Sequence, residues 1–155
     1  MIIDANIVKK LDRDAVKLIC VSGYFDPIHI GHIEYLTNAK LWGSKFGWSD
    51  KQLIVIVNNS RQAFLKKNFE FMKCAERLKI VNALRVVDWV IESIDEDGTV
   101  CKTLELIKPD IFAKSGDRHI DDVPETPICK RLGIAMVDVP GEKIQSSSDL
   151  VKRSK

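Results

Sequence analysis

The sequence predicts a single α/β domain in which a doubly wound parallel sheet lies between two layers of helices. Three observations carry that prediction. Strand-like and helix-like segments alternate along the chain, the strand-like runs are apolar on both faces, and a glycine-containing turn joins the first strand to the first helix. A strand covered on both sides reads as a continuous apolar run, whereas a half-exposed antiparallel strand alternates apolar with polar. At 155 residues, 45% of them hydrophobic, the chain has the size and apolar content of one core.

The five strands are expected at VKLICV (16–21), LIVIV (53–57), WVI (89–91), DIFA (110–113) and IAMVDV (134–139). Between the first two, a helix starting at Ile30 or Ile33 and reaching about Leu41 presents Ile33, Leu36 and Leu41. A second, over 76–87, gathers Ile80, Val81, Leu84 and Val87 on one face. Segments 100–107 and 127–132 complete the helices, and Gly133 stands where a left-handed residue closes a helix. Residues 43–51, 58–72 and 114–126 follow neither period and are expected to be loops. The last two follow strands, and the carboxyl ends of the strands in an open parallel sheet form the ligand crevice. No repeat, low-complexity tract or linker divides the chain, so residues 1–155 are expected to be one domain.

Composition narrows the classes of function. No run approaches the roughly 20 apolar residues of a membrane span. The amino-terminal segment mixes acids and bases from Asp4 onward and so lacks the apolar centre of a signal peptide; a cytoplasmic protein is expected. Cys20, Cys74, Cys101 and Cys129 occur singly, outside any zinc spacing, and are expected to be reduced thiols with no resident metal. A net charge of +2 from 24 basic and 22 acidic residues provides no extended nucleic-acid face, which points to small-molecule partners.

GYFDPIHIGH, residues 23–32, follows the first strand directly and passes from a tight turn into the first helix. Two of the chain's three histidines, His29 and His32, are spaced i to i+3 and share one face at the helix start. Backbone N–H groups and the positive end of the dipole favour an anion there. Gly31 removes a side chain from the approach, and Pro27 fixes the entering loop. The pair could simply cap the helix. Its setting at the predicted crevice favours a polyphosphate site, with an imidazole donating on either side of a phosphate chain.

GxFDxxHxGH resembles the signature of the cytidylyltransferase-like nucleotidyltransferases, within the HIGH superfamily that also holds class I aminoacyl-tRNA synthetases. The likeness continues in MKCAERLKIVNALRVVDWVI, LIKPDIFAKSGDR and IQSSSDLVKR, and so spans about residues 17–153. It implies a Rossmann-like fold of the HIGH nucleotidyltransferase type. It also implies a nucleotide site built from Gly23, Tyr24, Phe25, Asp26, Gly31, Lys67, Gly116, Asp117, Ser146, Ser147 and Ser148. His29, His32, Lys66 and Arg77 carry the catalysis, Arg77 as a phosphate ligand. Arg118 is a better candidate acceptor contact than His119, since a guanidinium can hold a phosphate with two bonds.

Each residue also has a plainer reading. The serines can cap a helix, and a capped helix start is itself an anion site. Lys66 and Lys67 can be solvated; relatives use lysines of this loop to close over the triphosphate. Arg77 opens a helix, where a cation opposes the dipole, so a bound anion would explain it. Asp26 is expected to orient the histidine loop rather than perform chemistry. Trp42 and Trp48 flank a connection longer than usual and are expected to pack locally or at a contact between subunits. VNNSRQ departs from the family pattern, which often has an acid near Ser60.

The implied reaction is direct transfer from ATP or CTP, accompanied by Mg²⁺, to a phosphorylated small molecule, with pyrophosphate released. Catalysis then consists of placing two anions together and neutralising charge, for which positively poised histidines, lysines and arginines are suited. Relatives take glycerol 3-phosphate, choline or ethanolamine phosphate, heptose 1-phosphate or FMN, and KSGDR looks most like the sugar-phosphate adenylyltransferase branch. A synthetase would need far more chain and a KMSKS-like sequence. A non-catalytic nucleotide-binding domain of the same fold is the rival from another class, and the family implies a homodimer.

Overall fold

The structure is a computed structural model, and it describes residues 1–115, 120–139 and 147–154. Five strands form one parallel sheet in the order β3-β2-β1-β4-β5: β1 (Lys17–Gly23), β2 (Lys51–Val57), β3 (Trp89–Glu92), β4 (Ile111–Ser115) and β5 (Ala135–Val139). Residues 53–57 of β2 are buried throughout, as a strand covered on both faces requires. Two apolar clusters lie on opposite faces. Ile19, Val21, Leu53 and Val55 face the side of α2 (Ile30–Trp42) and α4 (Cys74–Asn82). Leu18, Cys20, Ile54 and Ile56 face that of α1 (Ala5–Val8), α5 (Cys101–Ile107) and α6 (Thr126–Leu132).

Two aspartates ahead of strands fix their neighbours' register. Asp88 accepts from the Leu53 amide at 2.7 Å and pairs with Lys40 at 2.7 Å; Asp110 accepts from the Leu18 amide at 2.9 Å and pairs with Arg13 at 3.0 Å. Gly133 has φ +70° and closes α6, the left-handed cap its position predicted. In the long connection after α2, one turn of 3₁₀ helix (Gly43–Phe46) precedes Trp48, whose ring stacks on Phe46 at 4.9 Å, while Lys45 lies over Trp42 at 3.7 Å. The aromatics of this segment therefore pack locally.

One expected loop is wrong. Residues 58–72 contain a helix, α3 (Ser60–Lys67), opened by Asn59, whose side chain accepts from the Gln62 amide, and closed by Asn68 at φ 60°. Its sequence, SRQAFLKK, has no apolar stripe, so periodicity missed it; capping and tertiary bonds hold it instead. Gln62 Nε2 donates to the carbonyls of Asp97 and Thr99, and Asn59 Nδ2 to those of Ser93 and Asp95. The terminal helix α7 (Ser147–Arg153) begins within the serine run, as expected.

Candidate active site

β1 and β4 are neighbours from which the sheet is built outward in both directions, and their carboxyl ends open the crevice. Gly23 ends β1; a Cβ there would meet the Phe25 ring at 2.9 Å. Phe25 turns the chain at φ 53° with its ring buried. Asp26, 1% exposed, then grips the segment after α3: its carboxylate accepts from the amides of Phe71 at 2.8 Å and Met72 at 2.6 Å. These bonds tie the histidine loop to the segment after α3.

His29 and His32 lie at the start of α2 with rings stacked at 3.9 Å. The His29 amide donates to His32 Nδ1 at 3.1 Å, and the Gly31 amide to His29 Nδ1 at 3.1 Å. Each imidazole therefore does cap the helix. An accepting Nδ1 carries no proton, so each ring's N–H donor is at Nε2, directed away from the cap. Burial, then the proximity of His29 and Lys67, lowers the His32 pKa to about 3. The expectation of positively poised histidines is thus corrected at His32, whose imidazole is held in its neutral form. The amides of His29, Gly31, His32 and Ile33 all have protein partners.

Arg77 was expected as a phosphate ligand, and the structure gives it another place. It is 0% exposed. Nε donates to the Met72 carbonyl at 2.9 Å, Nη1 to those of Tyr24 at 2.9 Å and Asn58 at 2.6 Å, and Nη2 pairs with Glu70 at 2.6 Å. Burial alone would raise the Glu70 pKa, but hydrogen bonds from Ser60 and Arg77 and the guanidinium charge outweigh it and hold the carboxyl below its usual range. Ser60, which stands near the family's acidic position, bonds the same Glu70 oxygen at 2.6 Å. Arg77 so ties the histidine loop, the end of β2 and the segment after α3 into one floor beneath the site.

Lys66 and Lys67 close α3 beside the loop. Lys66 Nζ lies 4.4 Å over the Tyr24 ring, and Lys67 Nζ donates to the Asp26 carbonyl at 3.2 Å, its pKa lowered chiefly by burial. The Ser147 hydroxyl at the start of α7 donates to the Pro27 carbonyl at 2.8 Å, which brings the terminal helix against the histidine loop. Gly116, Asp117, Arg118 and Ser146, with the side chain of Ser148, lie outside the described residues.

A cavity of about 940 Å³ opens beside Gly23, Tyr24 and Lys66; His29 and His32 are not among the residues that line it. Its walls come from Ser22, Gly23, Tyr24 and Tyr35, from Asn58, Gln62, Leu65 and Lys66, from Asp97, Gly98 and Val100, and from Phe112, Lys114, Ser115, Val123 and Glu125. Asn59, Gln62, Asp95 and Glu125 build this region without having been singled out in the sequence. Asp95 is 2% exposed and accepts from the Lys102 and Thr103 amides, holding the start of α5. The signal that could have found Asn59 and Gln62 was the capping spacing in NSRQ. Among the described residues no three His, Cys, Asp or Glu side chains converge on a metal position.

The family described as Cytidylyltransferase-like matches residues 20–153. The bifunctional protein HldE of Blochmanniella pennsylvanica is 35% identical over 109 residues, which are 69% of this chain and 21% of that protein. The bifunctional protein HldE of Gluconobacter oxydans is 31% identical over 150 residues, 96% of this chain and 29% of that protein. This chain thus spans less than a third of the length of either relative. A solved lipopolysaccharide core biosynthesis protein from Thermoplasma volcanium superposes with a TM-score of 0.63 at 29% identity, covering 83% of this chain and 98% of that one. Pantothenate synthetase from Thermus thermophilus shares the fold, with a TM-score of 0.61 at 14% identity over 96% of this chain and 66% of that one. With the signature loop, the parallel sheet and the profile over residues 20–153 in agreement, the chain belongs to the cytidylyltransferase-like family of nucleotidyltransferases.

Proposed function

We propose that this chain transfers the nucleotidyl group of ATP or CTP to the phosphate of a sugar or polyol phosphate and releases pyrophosphate. The observation that carries the reading is the pair of stacked imidazoles whose Nδ1 atoms are spent on the helix cap, so that both present Nε2–H donors from one loop. In the proposed step an oxygen of the acceptor phosphate forms a bond to the α-phosphorus, the bond from that phosphorus to the α–β bridging oxygen breaks, and pyrophosphate leaves. No protein nucleophile is needed. His29 and His32 donate to the phosphoryl oxygens where charge develops, and Lys66 and Lys67 neutralise the leaving group.

The donor set suits an anion: imidazole N–H groups and ammonium groups bind phosphate oxygens rather than a bare cation. Mg²⁺ fits this chemistry as an ion carried by the triphosphate and water, the mode it favours, and when bound it would neutralise phosphate charge. The sugar or polyol acceptor is supported by the similarity to a lipopolysaccharide core biosynthesis protein, since such cores are built from sugars. The working unit is proposed to be a cytoplasmic homodimer. A pyrophosphate-release screen crossing the four NTPs with phosphorylated sugars, polyols and amino alcohols tests the reading. One NTP–acceptor pair should turn over, and should need His29 and His32; no release from any pair would sink it.

A further inference from the structure

Glu125 precedes α6 and is 7% exposed, a nearly buried acid at the wall of the 940 Å³ cavity. Its plainest role is to accept the Val100 amide, at 3.2 Å, and so join the start of α6 to that of α5. That role does not use it up. A carboxylate offers about four acceptor positions, and the Val100 amide fills one of them. Among the described residues it forms no ion pair, and burial, with the nearby carboxylates of Asp95 and Asp97, pushes its pKa up. A buried acid with vacant acceptor positions and no cation is costly unless something else donates to it.

We propose that Glu125 reads the acceptor molecule, accepting hydrogen bonds from hydroxyl groups at the end remote from the transferred phosphate. This rests on the transferase reading above and makes Glu125 a specificity-determining residue of the same site. Charge orients the molecule. Lys66 lies 4.4 Å over the Tyr24 ring, and Tyr24, Lys66 and Glu125 all line the cavity, which therefore holds both a cationic and an anionic group. An acceptor phosphate is drawn to the lysine side and repelled by Glu125. A cationic head group would meet Lys66 and Lys114 in the same cavity, whereas neutral hydroxyls satisfy the carboxylate without opposing either lysine. A hydrogen-bonding site of this kind discriminates strongly against molecules that lack the hydroxyl, because the buried acceptor is then left without a donor.

The test is equilibrium binding, with turnover measured beside it. Wild type, Glu125→Ala and Glu125→Gln are titrated with ATP, inorganic phosphate, glycerol 3-phosphate, glucose, mannose and heptose 1-phosphates, phosphoethanolamine and phosphocholine. At least one hydroxylated phosphate should bind wild type about tenfold or more tightly than inorganic phosphate does, and Glu125→Ala should remove that preference while ATP affinity is unchanged. Glu125→Gln, which keeps the shape and one acceptor oxygen, should fall between them and melts near wild type if Glu125→Ala itself loses the α5–α6 tie. The inference is overturned if Glu125→Gln and Glu125→Ala both bind the hydroxylated phosphate as wild type does. It is equally overturned if phosphocholine or phosphoethanolamine binds best, or if no hydroxylated phosphate binds better than inorganic phosphate. Glu125-dependent binding without pyrophosphate release from any NTP sustains this inference and defeats the transferase reading. Equal turnover of a sugar phosphate by wild type and both variants does the reverse.

Discussion

His32 Nδ1 accepts the backbone N–H of His29 at 3.1 Å, so one imidazole both holds the helix start and fixes where its own donor points. The two roles are separable by substitution. In His32→Asn the side-chain oxygen can still cap the His29 amide, but no group reaches the place of Nε2. His32→Asn should therefore melt close to wild type and lose roughly a hundredfold or more in turnover, the cost of removing one transition-state donor. His32→Ala should lose both activity and about 1 kcal/mol of stability. Pyrophosphate release beside thermal melts reads both. Full activity in His32→Asn would reduce the residue to a cap.

His32 also predicts how stability varies with acidity. Its folded pKa, about 3, lies below the ordinary histidine value of 6.5. Between these values the unfolded chain binds a proton that the folded chain does not, so stability rises with pH across the window and the penalty is absent above about 6.5. Wild type should accordingly lose melting temperature as pH falls below about 6.5, and His32→Asn should lose less over the same interval. Parallel melting curves for the two proteins from pH 7 to pH 4 would contradict the neutral, half-buried imidazole.

Removing Arg77 should damage the fold before it damages chemistry. Arg77→Ala leaves Glu70 without its cation and deprives the Tyr24, Asn58 and Met72 carbonyls of a donor. Loss of one partner from a buried ion pair costs about 3–5 kcal/mol, which for a chain of this length lowers the melting point by roughly 10 °C. Urea unfolding gives the first figure and calorimetry the second. A normally stable but inactive Arg77→Ala would return the residue to phosphate binding.

These outcomes divide along what a sequence can display. The sheet was legible because buried parallel strands announce themselves locally, as LIVIV does in β2. The histidine loop was legible because its residues are consecutive. Arg77 was misread because its partners are three carbonyls, the farthest 53 residues away, and the Glu70 carboxylate, while the dipole argument saw only its helix. Helix α3 escaped because Asn59, Gln62 and bonds to residues 93–99 hold it in place of an apolar stripe. Glu125 looked like any loop acid until folding placed it in a cavity wall.

The lysines of α3 predict a split between binding and folding. Lys66→Ala combined with Lys67→Ala removes the contacts to the Tyr24 ring and the Asp26 carbonyl, made by lysines that are exposed or half-buried, and should leave the melting point within about 2 °C. Apparent NTP affinity should fall roughly tenfold or more, since each charge-assisted phosphate contact contributes about 1.5–3 kcal/mol. Unchanged kinetics would remove both lysines from the phosphate site.

Nucleotide itself should stabilise the protein. At about a hundred times its Kd the gain is about 2.7 kcal/mol, and it should grow with concentration as mass action requires. Chelating Mg²⁺ with EDTA should shrink the shift obtained with NTP and leave the free protein's melting point in place. The absence of any shift with all four NTPs at millimolar concentration would count against the site.

The double anchoring of Gln62 limits how this enzyme could be altered. The same short helix carries the wall of the cavity, through Gln62 and Leu65, and the two lysines at its far end. Replacing residues there to admit a different acceptor would disturb nucleotide handling at the same time. Glu125 and Val123, in contrast, reach the cavity from ahead of α6 and have no residue in common with that helix. A lineage, or an engineer, seeking a new acceptor at constant nucleotide use has its independent route on that opposite wall.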